Sequence, residues 1–393
     1  MNFILKTSHA DCDCRRKYAA EMLLDSITEG FPTLQCTQAE SEVPPGLYFD
    51  GQLVVSGEEL EEVFKSASLY REIATGRVDD HNRFDETALD WNVCEPWIDL
   101  TAQQLAHKLS CDNRQRRASS SYFSVIVTHD VDHTTLLEPT SLAHGILRSV
   151  NPNAEHIPFL TAITPKALIR AYERLLEHEQ SVGVKALYFM LAGPYGIGRF
   201  SSRSDIRWSS SREIVRLILQ AGMTVGLHGS YVACDRDSYR KEKDRIEQVT
   251  GTQIDCHRNH YLRFDPVRTW KQLEAAGISY DFSVGFRQRV GFRAGCGRTY
   301  HPFDFIRNRP SGVICIPLIF MDTVLFSSDR DNKIRQLRCA LEKVARIQGC
   351  VSLLFHVESF LIDPSVYAVF KDVLSICTDL GADLSGRIPS DAI

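Results

Sequence analysis

Apolar positions change rhythm about a third of the way along the chain. In the early part, "LYFDGQLVVSG" predicts a hairpin. "GEELEEVFKSASLYREIA" spaces its apolar residues at helical intervals on an acidic background and predicts one amphipathic helix. "LSCDNRQRRASSS", Leu109 to Ser121, is polar, basic and without period, as a linker is. Beyond it, short buried-type runs ("YFSVIVT", "KALYFML", "MTVGL", "ISYDF", "VSLLF") alternate with helical ones ("KALIRAYERLLEHEQ", "SREIVRLILQ", "SYRKEKDRIEQV", "PVRTWKQLEAA", "NKIRQLRCALEKVARIQ"). Ser210 with Glu213 forms a capping-box pattern for the second of these helices. Such alternation predicts a parallel α/β layer structure or barrel, here over residues 118–393, behind a smaller α+β unit over residues 1–117. No fixed-period repeat is present.

Composition narrows the class without naming a chemistry. The 393 residues are 44% hydrophobic and 24% charged, ordinary for a globular chain. A formal charge of −5 argues against a nucleic-acid groove. The first residues, "MNFILKTSHADCDCRRK", lack the apolar core of a signal peptide. The most apolar later stretch, "GVICIPLIFMDTVLF", is broken by Pro317 and Asp322 and is too short to span a bilayer. Twelve cysteines fall at irregular spacing with no C-x-x-C pair, and Cys315, Cys339, Cys350 and Cys377 sit in apolar segments. The expectation is a reducing, cytoplasmic setting. Cys12 and Cys14 lack the second pair that a zinc site would need. Trp91 and Trp97 read as packing residues.

The chemistry collects at strand ends. "VIVT" runs into His129-Asp130-Val131-Asp132, and "MTVGL" into His228-Gly229-Ser230-Tyr231. "CHRNHYLRF" carries Arg258 and His260, "ISY" runs into Asp281, and "VSLLF" into His356. In parallel α/β folds the carboxyl ends of the strands share one mouth, where active sites assemble. Alone, His356 reads as a structural histidine, Arg258 as a salt-bridge residue and Asp281 as a turn residue. Two carboxylates as close as Asp130 and Asp132 call for a cation or a shared proton. A haloacid-dehalogenase-type phosphatase also uses D-x-D after a strand, but Thr128 and His129 interrupt its apolar run. A sugar-nucleotide transferase uses D-x-D but needs no distant acid histidine. Metal-assisted hydrolysis employs every cluster.

Taken together, these residues resemble the polysaccharide deacetylase family, the nodulation-protein-B homology group classed as carbohydrate esterase family four. Its five motifs occur in order between Val125 and Phe360. "THDVD" stands where the family has T-F-D-D, "HGSY" at its metal-histidine motif, and "RNHY" at its arginine–tyrosine motif. "DFSVGF" and "LLFH" match the fourth and fifth. "VGLHGSY", "HYLRFDP" and "GFRAG" are similar to a bacterial branch with an extra N-terminal domain.

The resemblance implies a distorted (β/α) barrel that removes an N- or O-acetyl group from a carbohydrate by metal-activated water. It implies Asp130 as general base, Asp132 and His228 as metal ligands, and Arg258 as the partner that orients Asp130. It further implies an oxyanion contact from the Tyr261 backbone N–H, His356 as general acid, and Asp281 as the group tuning His356. The cofactor expected is a divalent metal, with zinc foremost. The implied partners are the carbohydrate substrate and glycan-assembly enzymes.

One departure bears on the metal. The family places a second histidine four residues after the first, where this chain has Val232. A catalytic zinc takes three protein ligands and water. His260 is the favoured replacement and His133 a second candidate, while His129 is expected to pack nearby. A two-ligand site stays open, as does a metal-free relative that binds glycan or hydrolyses another C–N amide bond.

Overall fold

The computed structural model describes residues 2–7, 13–25, 33–38, 43–89, 91–109, 123–132, 134, 165–193, 205–327 and 329–389. The expected boundary at 117/118 and the linker core, His133 and Cys12 lie outside them.

The N-terminal unit is a four-stranded sheet with helices. Strand β1 (Asn2–Thr7) is central, parallel to β2 (Thr33–Gln38) and antiparallel to β3 (Gly46–Phe49), which forms the expected hairpin with β4 (Gln52–Ser56). Helices α1 (Asp13–Asp25) and α2 (Gly57–Ala67) pack on it, burying Phe3, Leu5, Leu47, Tyr18, Leu23, Val63 and Phe64. Ser56 starts α2 with a capping box: its Oγ accepts from Glu59 N at 3.1 Å, and the Glu59 carboxylate accepts from Ser56 N at 2.8 Å. The single helix expected here is in fact two. Ser68 donates from both N and Oγ to the Phe64 carbonyl, and Leu69 turns to φ 60°, so the chain restarts as α3 (Tyr70–Thr75). Helix α4 (Trp97–Lys108) completes the unit.

Among the described residues the second sheet has eight parallel strands. In chain order these are β5 (Ser124–Val131), β6 (Leu187–Leu191), β7 (Thr224–Gly229), β8 (Cys256–Asn259), β9 (Tyr280–Asp281), β12 (Ile314–Cys315), β13 (Leu318–Met321) and β14 (Cys350–Leu354). The short antiparallel pair β10 (Phe303–Asp304) and β11 (Arg309–Pro310) stands apart. Strand order in the large sheet is β12-β9-β8-β7-β6-β5-β14-β13. Its two edges, β12 and β13, are joined in the chain by Ile316 and Pro317 alone, so they cannot lie far apart. Leu318 N also donates to Val284 O at 2.9 Å, bridging from the β13 edge towards β9. The sheet therefore curls into a distorted (β/α) barrel.

β5, β6 and β14 are buried throughout, as parallel strands covered on both faces are, which explains their unbroken apolar runs. Helices α5 (Pro165–Ser181), α6 (Ser209–Gln220), α8 (Tyr239–Thr250), α9 (Thr269–Ala276), α10 (Arg330–Arg346) and α12 (Pro364–Asp379) surround it, with short α7 (Ala233–Arg236) and α11 (Val357–Ile362) at the mouth. The expected Ser210–Glu213 box is absent. Helix α6 begins at Ser209 with Trp208 as N-cap, which places Ser210 inside the first turn, and Glu213 pairs instead with Arg216. Cys339, expected in an apolar setting, is exposed. Among the described residues no helix is long and apolar enough to cross a membrane.

The two sheets share one apolar core. The β10 end of the barrel sits on the N-terminal helices, with the Phe303 ring 5.1 Å from Phe64 and 5.3 Å from Tyr18. The Arg293 guanidinium is buried on Glu72 through bonds of 2.8 and 2.6 Å. Asp99 accepts from Gly297 N at 2.7 Å. Gly295 has φ +71°, and a Cβ there would lie 2.5 Å from Trp97 Nε1, so a glycine is required at this seam. Trp97 thus packs between the sheets, and Trp91 stacks on Phe84 at 5.6 Å.

Candidate active site

On β5 the side-chain period of two puts Thr128, Asp130 and, just past the strand, Asp132 on one face. His129 faces the other way, with Nδ1 2.7 Å from the Phe355 carbonyl and Nε2 2.8 Å from Glu179. The mouth-facing set meets Arg258 from β8. Nη1 of Arg258 donates to Asp130 Oδ1 at 2.9 Å and to Thr128 Oγ1 at 2.8 Å, and Nε donates to the Phe282 carbonyl at 3.1 Å. The guanidinium is wholly buried, 4.6 Å from the Phe189 ring. Such an arginine fixes one oxygen of Asp130 and leaves the other to face the mouth. Burial works against charge on Asp130, yet His228, Arg258 and His356 together hold its carboxyl below the ordinary range. It is an anion at neutral pH and can accept a proton.

Asp132, His228 and His260 meet beside it. His228 Nε2 is 3.2 Å from Asp132 Oδ1, and His260 Nε2 is 3.5 Å from the same atom. Their ligand atoms all lie within 4.8 Å of one another. Donor atoms around a tetrahedral ion with bonds of about 2.0–2.1 Å lie roughly 3.3 Å apart, which the two distances to Asp132 match. The tautomer also fits. His228 Nδ1 is 3.0 Å from the Arg258 carbonyl, which can only accept, so Nδ1 carries a proton and Nε2, turned to Asp132, is the nitrogen left to bind an ion once it gives up its own proton. Val232 is only the N-cap residue before α7. The imidazole that could complete the set comes from β8's outgoing turn. Gly229 permits this closeness of β7 and β8, since a Cβ there would lie 2.6 Å from His257 Nε2. Burial opposes charge on Asp132, but His260, His228 and His356 hold it well below the carboxylate range. Burial likewise pushes His228 down, and Asp130 with Asp132 outweighs it, raising the imidazole.

Opposite stands His356, two residues past the end of β14. Its Nδ1 is 2.7 Å from Asp322 Oδ1, its backbone N donates to Asp322 Oδ2 at 2.8 Å, and Nε2 lies 4.0 Å from Asp132. Asp322 is fully buried. Burial favours neutral imidazole, but Asp322, then Asp132 and Asp130, reverse this and raise His356 to about 10. Asp281, expected beside His356, is elsewhere. It accepts from Ser283 Oγ at 2.6 Å and Trp270 Nε1 at 3.0 Å, and lies 3.0 Å from His257 Nδ1. Both its oxygens are engaged inside the barrel at β9, on the far side of β8. The carboxylate that backs His356 is Asp322, because β13 lies next to β14 in the sheet.

Tyr261 lies in the turn after β8. It and Leu262 have φ of 62° and 51°, a left-handed pair without glycine. Each such residue costs on the order of 1–3 kcal/mol and persists only where its surroundings hold it. The backbone N–H expected to face an oxyanion belongs to this turn.

This chain is similar in structure to carbohydrate deacetylases. It matches a candidate polysaccharide deacetylase from Mycobacterium smegmatis at 17% identity, over 66% of this chain and 85% of that one, with a TM-score of 0.46. It matches the chitin deacetylase of the fungal pathogen Colletotrichum lindemuthianum at 12% identity, over 66% and 82%, with a TM-score of 0.35. A carbohydrate esterase family 4 pseudoenzyme from Bacillus anthracis matches at 12% identity, over 67% and 63%, with a TM-score of 0.34. No family model matches the sequence, and no curated protein does.

Sequence reasoning missed two members of the site. Thr128, treated as an interruption of the strand, shares Arg258 with Asp130. Asp322 carries a usable signal, since it directly follows the apolar run "LIFM", although in sequence it reads as a break in hydrophobicity. His257 lies in the barrel with Asp281, and His301 holds the Ser311 carbonyl at 2.8 Å, away from the site.

Proposed function

We propose that this protein is a divalent-metal hydrolase that removes an acetyl group, on nitrogen or oxygen, from a carbohydrate. The observation that carries the reading is the meeting of three devices at one barrel mouth: a carboxylate anchored by buried arginine, an Asp–His–His trio, and an imidazole backed by aspartate. The carbohydrate class rests on the five motifs the chain shares in order with polysaccharide deacetylases.

Asp132, His228 and His260 would hold the ion, and their one-oxygen, two-nitrogen set suits zinc. When bound, the ion supplies Lewis-acid polarisation of water and of the acyl oxygen. Asp130, anionic and with one oxygen turned to the mouth, takes the proton from the attacking water. Arg258 keeps that carboxylate from rotating. His356 Nε2, protonated because Asp322 and its neighbours favour imidazolium, gives its proton to the departing amine or alkoxide. The Tyr261 N–H faces the charge that develops on the acyl oxygen.

The test is acetate release from tetra-N-acetylchitotetraose and from acetylated xylan, with purified protein before and after chelation. Release that is lost on chelation and restored by zinc is the expected outcome. His260→Ala should lower bound zinc by at least the 10- to 100-fold typical of disturbing a metal's surroundings. Full activity without any stoichiometric metal would overturn the metal assignment.

A further inference from the structure

The structure assigns to the N-terminal unit a part in the reaction centre: Arg83 is a positioning residue that holds the Tyr261 carbonyl and, through it, the turn that carries the Tyr261 N–H. The inference rests on the hydrolytic reading only for what Tyr261 does, not for how it is held.

The turn after β8 needs an external support, because two successive non-glycine residues adopt positive φ there. The support comes from residues 79–83, nearly 180 positions earlier in the chain. Arg83 Nη1 donates to the Tyr261 carbonyl at 2.9 Å, across 178 positions of chain. The guanidinium is only 8% exposed and is itself aimed by Asp79, whose Oδ2 accepts from Nε at 2.8 Å. Asp79 Oδ1 also accepts from Arg83 N and His81 N at 3.1 and 2.9 Å, so this segment is a closed, preset turn.

A second arginine ties the same place from the barrel side. Arg263 Nε donates to the His81 carbonyl and Nη1 to the Tyr231 carbonyl, both at 2.9 Å. Rings fill the space between. His81 lies 5.0 Å from Tyr261 and 5.9 Å from Tyr231, and its Nδ1 is 3.3 Å from the Tyr231 hydroxyl. On the far side of Tyr261 is His260, 4.5 Å between ring centroids. One chain of contacts therefore runs from Asp79 through Arg83 to the Tyr261 carbonyl, one amide beyond the His260–Tyr261 amide that adjoins a proposed metal ligand. A misplacement of about 1 Å at such a peptide can cost 10²-fold in rate.

The experiment uses the full chain and two readouts. Hydrogen exchange is followed in peptides covering residues 257–264, with residues 124–131 as reference. Hydrolysis of 4-methylumbelliferyl acetate is followed with added zinc. Arg83→Gln should speed exchange at 257–264 at least about tenfold, leave 124–131 unchanged, and lower kcat more than tenfold with KM within about twofold. Arg83→Lys, which retains one cationic donor, should recover much of both. Asp79→Asn, which releases the guanidinium but keeps its charge, should move both readouts the same way and by less, and it serves if Arg83→Gln does not fold.

Unchanged exchange at 257–264 in Arg83→Gln or Asp79→Asn overturns the inference, whatever the activity. Equal acceleration at 124–131 also overturns it, by showing a general stabilising role. Local acceleration in a protein whose unaltered form does not release the fluorophore leaves the positioning in place and counts against the hydrolytic reading alone.

Discussion

At the scale of single residues, the site works by making charges unequal in their freedom. Asp130 and Asp132 are two positions apart, yet one is held by a guanidinium and the other by imidazoles. Asp130→Asn keeps the shape and the Asp132–His228–His260 trio but cannot accept a proton. Turnover should fall by roughly 10²- to 10⁴-fold with bound zinc unchanged, read by acetate release and metal analysis on one preparation. For His356 the sign of the pH effect is set by Asp322. Its pKa in the folded, metal-free protein is raised to about 10, so the stability it contributes is complete below the unfolded value of about 6.5. That contribution is lost as pH rises through 10. In chelated protein, urea melts should therefore show His356→Gln destabilising at pH 6 and less so above pH 10. Asp322→Asn should bring the imidazole down, moving the alkaline limb of the rate profile to lower pH.

At the scale of elements, the ends of helices and strands carry more than their interiors. Asp363 precedes α12, accepting from Ser365 N at 2.9 Å and Ser365 Oγ at 2.6 Å, and pairs with Arg330 at 2.7 Å. The Ser365 hydroxyl and the Arg330 guanidinium bring its carboxyl down to about 2. A depressed carboxylate stabilises above its unfolded pKa and loses that contribution as pH falls through the folded one. Asp363→Ala should cost about 1 kcal/mol in urea melts at pH 7, a cap-sized effect, and progressively less as pH falls from 4 towards 2. The strand ends obey a different logic. Parallel order turns every carboxyl end to the same mouth, so residues from β5, β7, β8 and β14 converge although the chain separates them widely.

At the scale of the whole molecule, the seam between the two sheets is part of the fold's cohesion. Glu72 and Arg293 are both buried and meet through two charge-assisted bonds. Removing one partner leaves the other charged in an apolar setting, which costs about 3–5 kcal/mol. Glu72→Ala should lower the midpoint of denaturant unfolding accordingly, while Glu72→Ala with Arg293→Met should regain much of the loss. Because the apolar core runs across both sheets, calorimetry of the unaltered chain should show one transition. Two well-separated peaks would contradict that cohesion.

What the sequence by itself determined was local. Buried-type runs and 3.6-residue spacing marked the strands and helices around the barrel, and the polar clusters after those runs marked the side chains that meet at its mouth. These were legible because periodicity and strand-end placement are properties of neighbouring residues. Pairing between remote carboxylates and imidazoles is not. Asp281 ends one strand and Asp322 comes just after another, and only the sheet order, with β13 beside β14 and β9 beyond β8, decides which one reaches His356. The absence of a histidine at Val232 was plain in the chain, but whether another imidazole could stand in its place depended on how closely β7 and β8 approach. The support of Tyr261 by Arg83 left no local signal at all. It joins residues 178 positions apart, and contacts across such a span arise only when the two sheets pack and exclude water between them.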